Sequence, residues 1–131
     1  MTADLLLEMA ANRQVANIVR ACRDLGQQAE EEPAASYGGS FRYWFKGKMI
    51  VGVNVSGGRR RSPPGELDIW TAPTKLAELV SVPENQIRKE LKNGFQSTDS
   101  GTSECIVRLN SEEAAQRLVS LFRSWLNSVD R

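Results

Sequence analysis

The chain has 131 residues, of which 40% are hydrophobic, and this is enough to build the core of a single domain over residues 1–131 without disulfide bonds. Seventeen Lys and Arg residues against sixteen Asp and Glu residues give a formal net charge of +1, which excludes the class of strongly basic domains. The sequence contains no histidine, the commonest general base and metal ligand, so we predict a binding domain that is not an enzyme and that needs no metal or cofactor.

The two cysteines indicate a reducing compartment. Cys22 falls on the apolar side of a helical pattern and Cys105 in an apolar strand pattern, so two buried thiols are favoured over a disulfide. Two cysteines far apart in sequence also lack the spacing of a zinc site. We expect no secretory signal and no run approaching the ~18 apolar residues of a membrane span. The predicted location is the cytoplasm.

Charge is unevenly distributed along the chain. Residues 1–32 hold three basic and six acidic residues, whereas residues 33–92 hold ten basic and five acidic residues. The positive excess in the middle of the chain permits a polyanionic partner through a local electrostatic field.

The first half of the chain predicts one long helix and a hairpin. Apolar residues recur at intervals of three and four, which predicts a helix over residues 3–28: Val15, Ile18, Val19, Cys22 and Leu25. Pro33 and the three glutamates before it end this helix. From residue 41 the period changes to two around the turn Lys46-Gly47, which predicts a hairpin. An exposed loop over residues 57–65 and a short third strand over residues 66–70 follow.

The segment after the third strand predicts a pair of short helices. Thr71 and Pro73 mark the start of the first helix. Ser81 followed three residues later by Glu84 fits a capping box, so the second helix is predicted to start there and to end at Asn93-Gly94.

The last third of the chain predicts a strand and the clearest helix. Residues 97–103 are polar and rich in turn formers, and residues 104–109 alternate as a fourth strand. The final helix follows a capping pattern at Asn110 and Glu113 and has an unbroken apolar stripe: Ala115, Leu118, Val119, Phe122, Trp125, Leu126 and Val129.

These elements predict an α+β fold in the order α-β-β-β-α-α-β-α. Its antiparallel four-stranded sheet carries a long N-terminal helix, a long C-terminal helix and the short helix pair, packed mainly on one face.

The helix pair has the residue pattern of two helices that dock across a tight turn. Residues 74–92 read TKLAELVSVPENQIRKELK, in which Ala77 permits close approach of the two helices over an apolar turn. This stretch resembles the helix-turn-helix of DeoR-type winged-helix repressors. The resemblance implies a recognition helix from Glu84 with exposed polar side chains that contact bases and phosphates: Asn85, Gln86, Arg88, Lys89 and Lys92.

The resemblance also makes two structural demands. The turn position of Ser81 is usually a glycine with positive φ in that family. A wing hairpin must form within residues 95–109. The same pattern of residues fits two helices that cover the sheet and expose their charges to water, and both interpretations stay open.

The flanking elements resemble a second group of proteins. A helix, a hairpin with Gly47-Lys48-Met49 at its turn, and a closing strand and helix over residues 104–129 are similar to small α+β domains of the MmcQ/YjbR type. For those domains DNA binding has been suggested by fold alone.

Other residues carry further candidate chemistry. A run of three arginines in the loop could contact a phosphate backbone of duplex DNA or RNA: Arg59, Arg60 and Arg61. Alternatively, this run with the adjacent prolines could dock on a proline-binding domain. Trp44 lies on the face of its strand opposite Tyr43, where it would mark a protein-binding or homodimer surface if that face is open. Glu66 and Asp68 share one strand face and offer a magnesium site for a hydrolase, although the adjacent lysine of such nucleases is missing.

Overall fold

The computed structural model describes residues 13–27, 29–34, 40–54, 66–100 and 104–128. Four α-helices occur in these residues: α1 (Arg13–Cys22, continued by a 3-10 helix at Arg23–Gln27), α2 (Pro73–Leu79), α3 (Glu84–Gly94) and α4 (Glu112–Asn127). The strands are β1 (Glu30–Ala34), β2 (Ser40–Phe45), β3 (Lys48–Asn54), β4 (Leu67–Thr71), β5 (Gln96–Ser100) and β6 (Glu104–Leu109). The predicted α+β class is confirmed. None of the described helices is both long and apolar enough to cross a bilayer.

Within the described residues, the sheet has six antiparallel strands in the order β1-β2-β3-β4-β6-β5, and the prediction of four strands was wrong. The two missed strands, β1 and β5, are the outermost ones. Their sequences, EEEPA and QSTDS, lack apolar alternation because each strand has a neighbour on one side only and is held by backbone pairing. Three glutamates and a proline on β1 also protect this edge from pairing with another chain.

The β2–β3 hairpin forms around the predicted turn. Lys46 and Gly47 both have positive φ, at 51° and 79°, as a two-residue type I′ turn requires. One residue of β3 departs from simple alternation, because Tyr43 pairs with Val51 whereas Trp44 pairs with Met49. Ile50 is the extra residue of this β-bulge, and it is buried in the core instead of lying on the opposite face as its position in the alternation predicts.

The helices pack on one face of the sheet around a single core. α1 and α4 contact each other, α2 contacts β3 and β6, and α3 contacts α2 and β5. The core contains Tyr43 and Phe45 from β2 together with Phe122 and Trp125 from α4. Tyr43 and Phe45 thus share the core face of β2, while the side chain of Phe41 lies outside the described residues.

Both cysteines are buried thiols, as predicted. Cys22 is on the core side of α1 and Cys105 on the core side of β6. Burial, assisted by the negative charge of Asp24, raises the pKa of Cys22 to about 12.

Candidate nucleic-acid interface

The turn between α2 and α3 is shaped by Pro83. The predicted capping box is absent, because α3 begins at Glu84 after Pro83, which is extended with ψ of 146°, and no side chain caps the helix. Proline disfavours the helical conformation at the residue before it, so the helix cannot start as early as Ser81. Ser81 does not have positive φ, since Lys46 is the one non-glycine residue with positive φ in the described part of the chain. A glycine is therefore not required in this turn.

The inner side of α3 belongs to the core of the domain. Ile87 and Leu91, one turn apart, are both 0% exposed. Their spacing of four places them on one helical stripe, and full burial of two aliphatic side chains contributes roughly 3–6 kcal/mol to docking the helix. α3 is thus fixed in orientation by the core, and its opposite side must face solvent.

The two flanks of α3 hold its carboxylates. On the flank next to α2, hydrogen bonds from Thr74 and from Arg88 lower the pKa of Glu84. The Arg88 Nε lies 3.1 Å from the Glu84 Oε2. On the flank next to α4, Glu90 Oε2 accepts a hydrogen bond from Trp125 Nε1 at 3.1 Å, and its Oε1 accepts one from Gln86 at 3.4 Å. Both carboxylates are half-buried and engaged, so neither projects from the outer face.

The outer face of α3 presents amides and ammonium groups. Its members are exposed and none of them is acidic: Asn85, Gln86, Lys89, Lys92 and Asn93. Four of these five residues were predicted from the sequence, and Asn93 was missed because an Asn-Gly pair indicates a helix end. We refer to these five residues as the α3 outer face.

Of the remaining predicted site residues, the structure describes Arg88, which lies off this face. Arg88 is half-buried on the α2 flank, where it is paired with Glu84. The loop arginines Arg59, Arg60 and Arg61 lie outside the described residues, so their contact with a phosphate backbone stays a prediction.

A hairpin follows α3 directly. β5 pairs with β6 over the segment in which a wing must form. β6 in turn pairs with β4, so the run β4-α2-α3-β5-β6 contains a helix pair followed by two strands, with spatial strand order β4-β6-β5. An antiparallel strand pair at the edge of the main sheet therefore occupies the segment in which the resemblance expects a wing.

An open groove of about 920 Å³ lies between α3 and α4. It is lined by Pro83, Asn85, Gln86, Lys89, Glu90, Asn93, Gly94, Phe95, Arg117 and Leu121. The Arg117 guanidinium lies 5.0 Å from the centroid of the Phe95 ring, which holds this cation beside the α3 outer face. Sequence reasoning missed Arg117, because nothing local indicates that the exposed side of α4 borders α3.

Asp68, one of the two candidate hydrolase residues, is paired with an arginine. Asp68 is 3% exposed on the face of the sheet away from the helices. Its Oδ1 lies 3.1 Å from the Arg108 Nε, and Asp68 raises the pKa of this arginine. Within the described ranges, no three metal-binding side chains lie together. Asp68 thus has a neighbouring cation that already balances its charge.

Comparisons of the chain with protein-family models, with curated proteins and with solved structures find no match.

Proposed function

We propose that the protein binds duplex DNA through the α3 outer face, without catalysing a reaction. The observation that carries this proposal is the sorting of charge around α3: both carboxylates are engaged at the flanks, while amides and two lysines occupy the exposed side. A helix that merely covered the sheet would not need to keep both of its carboxylates off the exposed side.

The groups on this face suit a DNA major groove. The groove of B-form DNA is about 12 Å wide and admits a helix, and asparagine or glutamine amides can pair with the adenine edge. Lys89 and Lys92 can contact phosphates, which fixes the position of the helix without reading sequence. The major groove of RNA duplexes is too narrow for side-chain readout, so the geometry favours DNA over RNA.

Two neighbouring features support the same interpretation. Arg117, held over Phe95 at 5.0 Å, adds a third cation beside the α3–α4 groove. The β5–β6 strand pair follows α3 in the chain, and we propose that it contacts the flanking DNA backbone as a wing does. We retain Arg59, Arg60 and Arg61 in the proposal as additional phosphate contacts on the basis of their charge alone. The cytoplasmic location is proposed with this function, because two buried thiols suit a reducing compartment.

The proposal is tested by anisotropy titration of a labelled mixed-sequence DNA duplex at about 50 and 200 mM salt. The Lys89→Gln/Lys92→Gln variant removes two phosphate contacts, so the slope of log K against log salt should become less steep by about 1.8. Lys46→Gln is the matched control, since Lys46 is exposed in the β2–β3 turn, away from β5 and α3 in the strand order. Its slope should equal that of the unmodified protein.

Two results would refute the proposal. One is the absence of binding at about 50 mM salt, where electrostatic contacts are strongest. The other is equal binding by the double lysine variant and the control, which would place any DNA contact elsewhere on the molecule.

A further inference from the structure

The groove between α3 and α4 has an apolar floor that the proposed DNA contacts do not use. Phe95, directly after α3, and Leu121 of α4 are half-buried, and both pack against the hydrophobic core. Both also line the groove, so part of each side chain faces the solvent there. The contacts proposed for DNA are amide and ammonium groups that meet base edges and phosphates, and they leave this apolar surface without a role.

Cations lie on both sides of the floor. Lys89 belongs to α3 and Arg117 to α4, and both line the groove with exposed side chains. The Arg117 guanidinium lies 5.0 Å from the centroid of the Phe95 ring, so one cation is held directly at the apolar floor. Because each wall contributes one positive group, an acid group that enters the groove has a cation on either side.

The carboxylate of the groove lining is already engaged in hydrogen bonds. Glu90 accepts one from Trp125 Nε1 at 3.1 Å and one from Gln86 Nε2 at 3.4 Å. Two cations against this one carboxylate give the lining a formal charge of +1. The groove is therefore complementary to a monoanion, whereas a polyanion would bring more negative charge than the two cations can balance.

The volume of the groove suits a small organic molecule. Its size of about 920 Å³ lies within the range of roughly 300–1,000 Å³ that is typical of sites for small ligands. Such sites combine an apolar lining with a few polar groups that orient the ligand. Phe95 and Leu121 supply the apolar lining here, and Lys89 and Arg117 supply the orienting charges.

We propose that the α3–α4 groove binds a small organic monoanion with an aromatic or branched apolar body. Its carboxylate or sulfonate lies between Lys89 and Arg117, and its apolar body lies on Phe95 and Leu121. This arrangement gives a role to the apolar floor as well as to the two cations.

The position of the groove makes this ligand a competitor of DNA. Four of the five residues of the α3 outer face also line the groove: Asn85, Gln86, Lys89 and Asn93. A bound ligand covers Lys89, so ligand and DNA exclude each other. This competition rests on the proposed DNA binding, whereas ligand binding does not. Free ligand at about nine times its dissociation constant should lower the apparent affinity for DNA about tenfold.

Fluorescence titration with anilinonaphthalene sulfonate, a monoanion with an aromatic body, tests the groove in the absence of DNA. Binding to the apolar floor should increase the fluorescence of this probe. Arg117→Gln removes one cation and should weaken binding about threefold or more. Arg123→Gln is the matched control, because Arg123 also belongs to α4 and lies outside the groove lining. This control should bind the probe as the unmodified protein does.

A second variant tests the apolar floor. Leu121→Glu places a carboxylate beside the bound acid group and should weaken binding about tenfold or more. If Leu121→Glu does not fold, Arg117→Gln still decides the question, because the Arg117 side chain is exposed. Absence of probe binding to the unmodified protein overturns the proposal, and so does equal affinity of Arg117→Gln and Arg123→Gln.

Displacement of the probe shows which chemistry the groove recognises. Naphthoate, an aromatic monoanion, should displace the probe. Acetate, which lacks an apolar body, and pentaglutamate, an acidic peptide, should not displace it at the same concentration. Displacement by acetate or by pentaglutamate would show that the groove recognises charge alone, and it would overturn the proposal.

A DNA titration with and without the probe separates this proposal from the proposed DNA binding. Where DNA binds, probe at about nine times its dissociation constant should lower the DNA affinity about tenfold. Unchanged DNA affinity at this probe concentration would overturn the competition. If DNA does not bind at all, the proposed DNA binding fails, and the titration of the probe alone still decides whether the groove is a ligand site.

Discussion

Replacing Glu31 by alanine tests the side-chain hydrogen bonds that connect β1 to Arg23 and Tyr43. Glu31 accepts two hydrogen bonds of 2.9 Å from the Arg23 guanidinium and one of 2.9 Å from the Tyr43 hydroxyl. The partly exposed pair with Arg23 contributes about 0.2–1 kcal/mol. Tyr43 is 0% exposed, so leaving its hydroxyl without this acceptor costs about 1–3 kcal/mol more. We expect Glu31→Ala to lower the free energy of unfolding by roughly 2–3 kcal/mol.

The assay is urea denaturation of Glu31→Ala, Tyr43→Phe and the double variant. The double variant lacks both ends of the hydrogen bond between Tyr43 and Glu31, so it should lose about 1–2 kcal/mol less than the sum of the single changes. Additive losses, or a loss below about 0.5 kcal/mol for Glu31→Ala, would refute the reasoning.

The same contact predicts a dependence of stability on pH. The hydrogen bond from Arg23 is the main reason that the folded-state pKa of Glu31 is lowered. A lowered folded-state pKa stabilises the protein above the unfolded-state value of about 4.3, and this contribution is lost as pH falls through the folded-state pKa. The difference between the unmodified protein and Glu31→Ala should therefore shrink in acid. A difference that stays constant from neutral pH into acid would contradict the assignment.

Two further predictions concern buried polar atoms. Thr71→Val should destabilise the protein by about 1–2 kcal/mol in urea denaturation, because the Thr71 hydroxyl donates a 2.8 Å hydrogen bond to the Ile50 carbonyl at the bulge. Thr71→Ser keeps the hydroxyl and should retain most of this stability. Equal losses of stability in the two variants would contradict the role of the hydrogen bond. In a thiol-reagent assay at about pH 8, the folded protein should react slowly at both cysteines, because burial keeps Cys22 protonated and shields Cys105 from the reagent. Rapid reaction of the thiols before denaturation would contradict their burial.

The candidate site was predictable in part. The sequence indicates α3 and four residues of its outer face, because amphipathic spacing shows which side of a helix is buried. It does not indicate that Glu84 and Glu90 are engaged at the flanks, since their partners Thr74 and Trp125 belong to other helices. Arg88 was predicted on the outer face, although its spacing of four from Glu84 within one helix also fits an ion pair, and the structure shows this pair.

The sequence by itself determined the features that local residue patterns indicate. These are α4 with its apolar stripe, the β2–β3 hairpin with its Lys46-Gly47 turn, and the two buried thiols. Tertiary structure alone decided the features that depend on distant partners. β1 and β5 are strands because backbone hydrogen bonds to β2 and β6 hold polar sequences in place. Trp70 donates a hydrogen bond to Glu104 because β6 lies beside β4 in the sheet. Periodicity reports which side of an element is buried, and it contains no information about which other element covers that side.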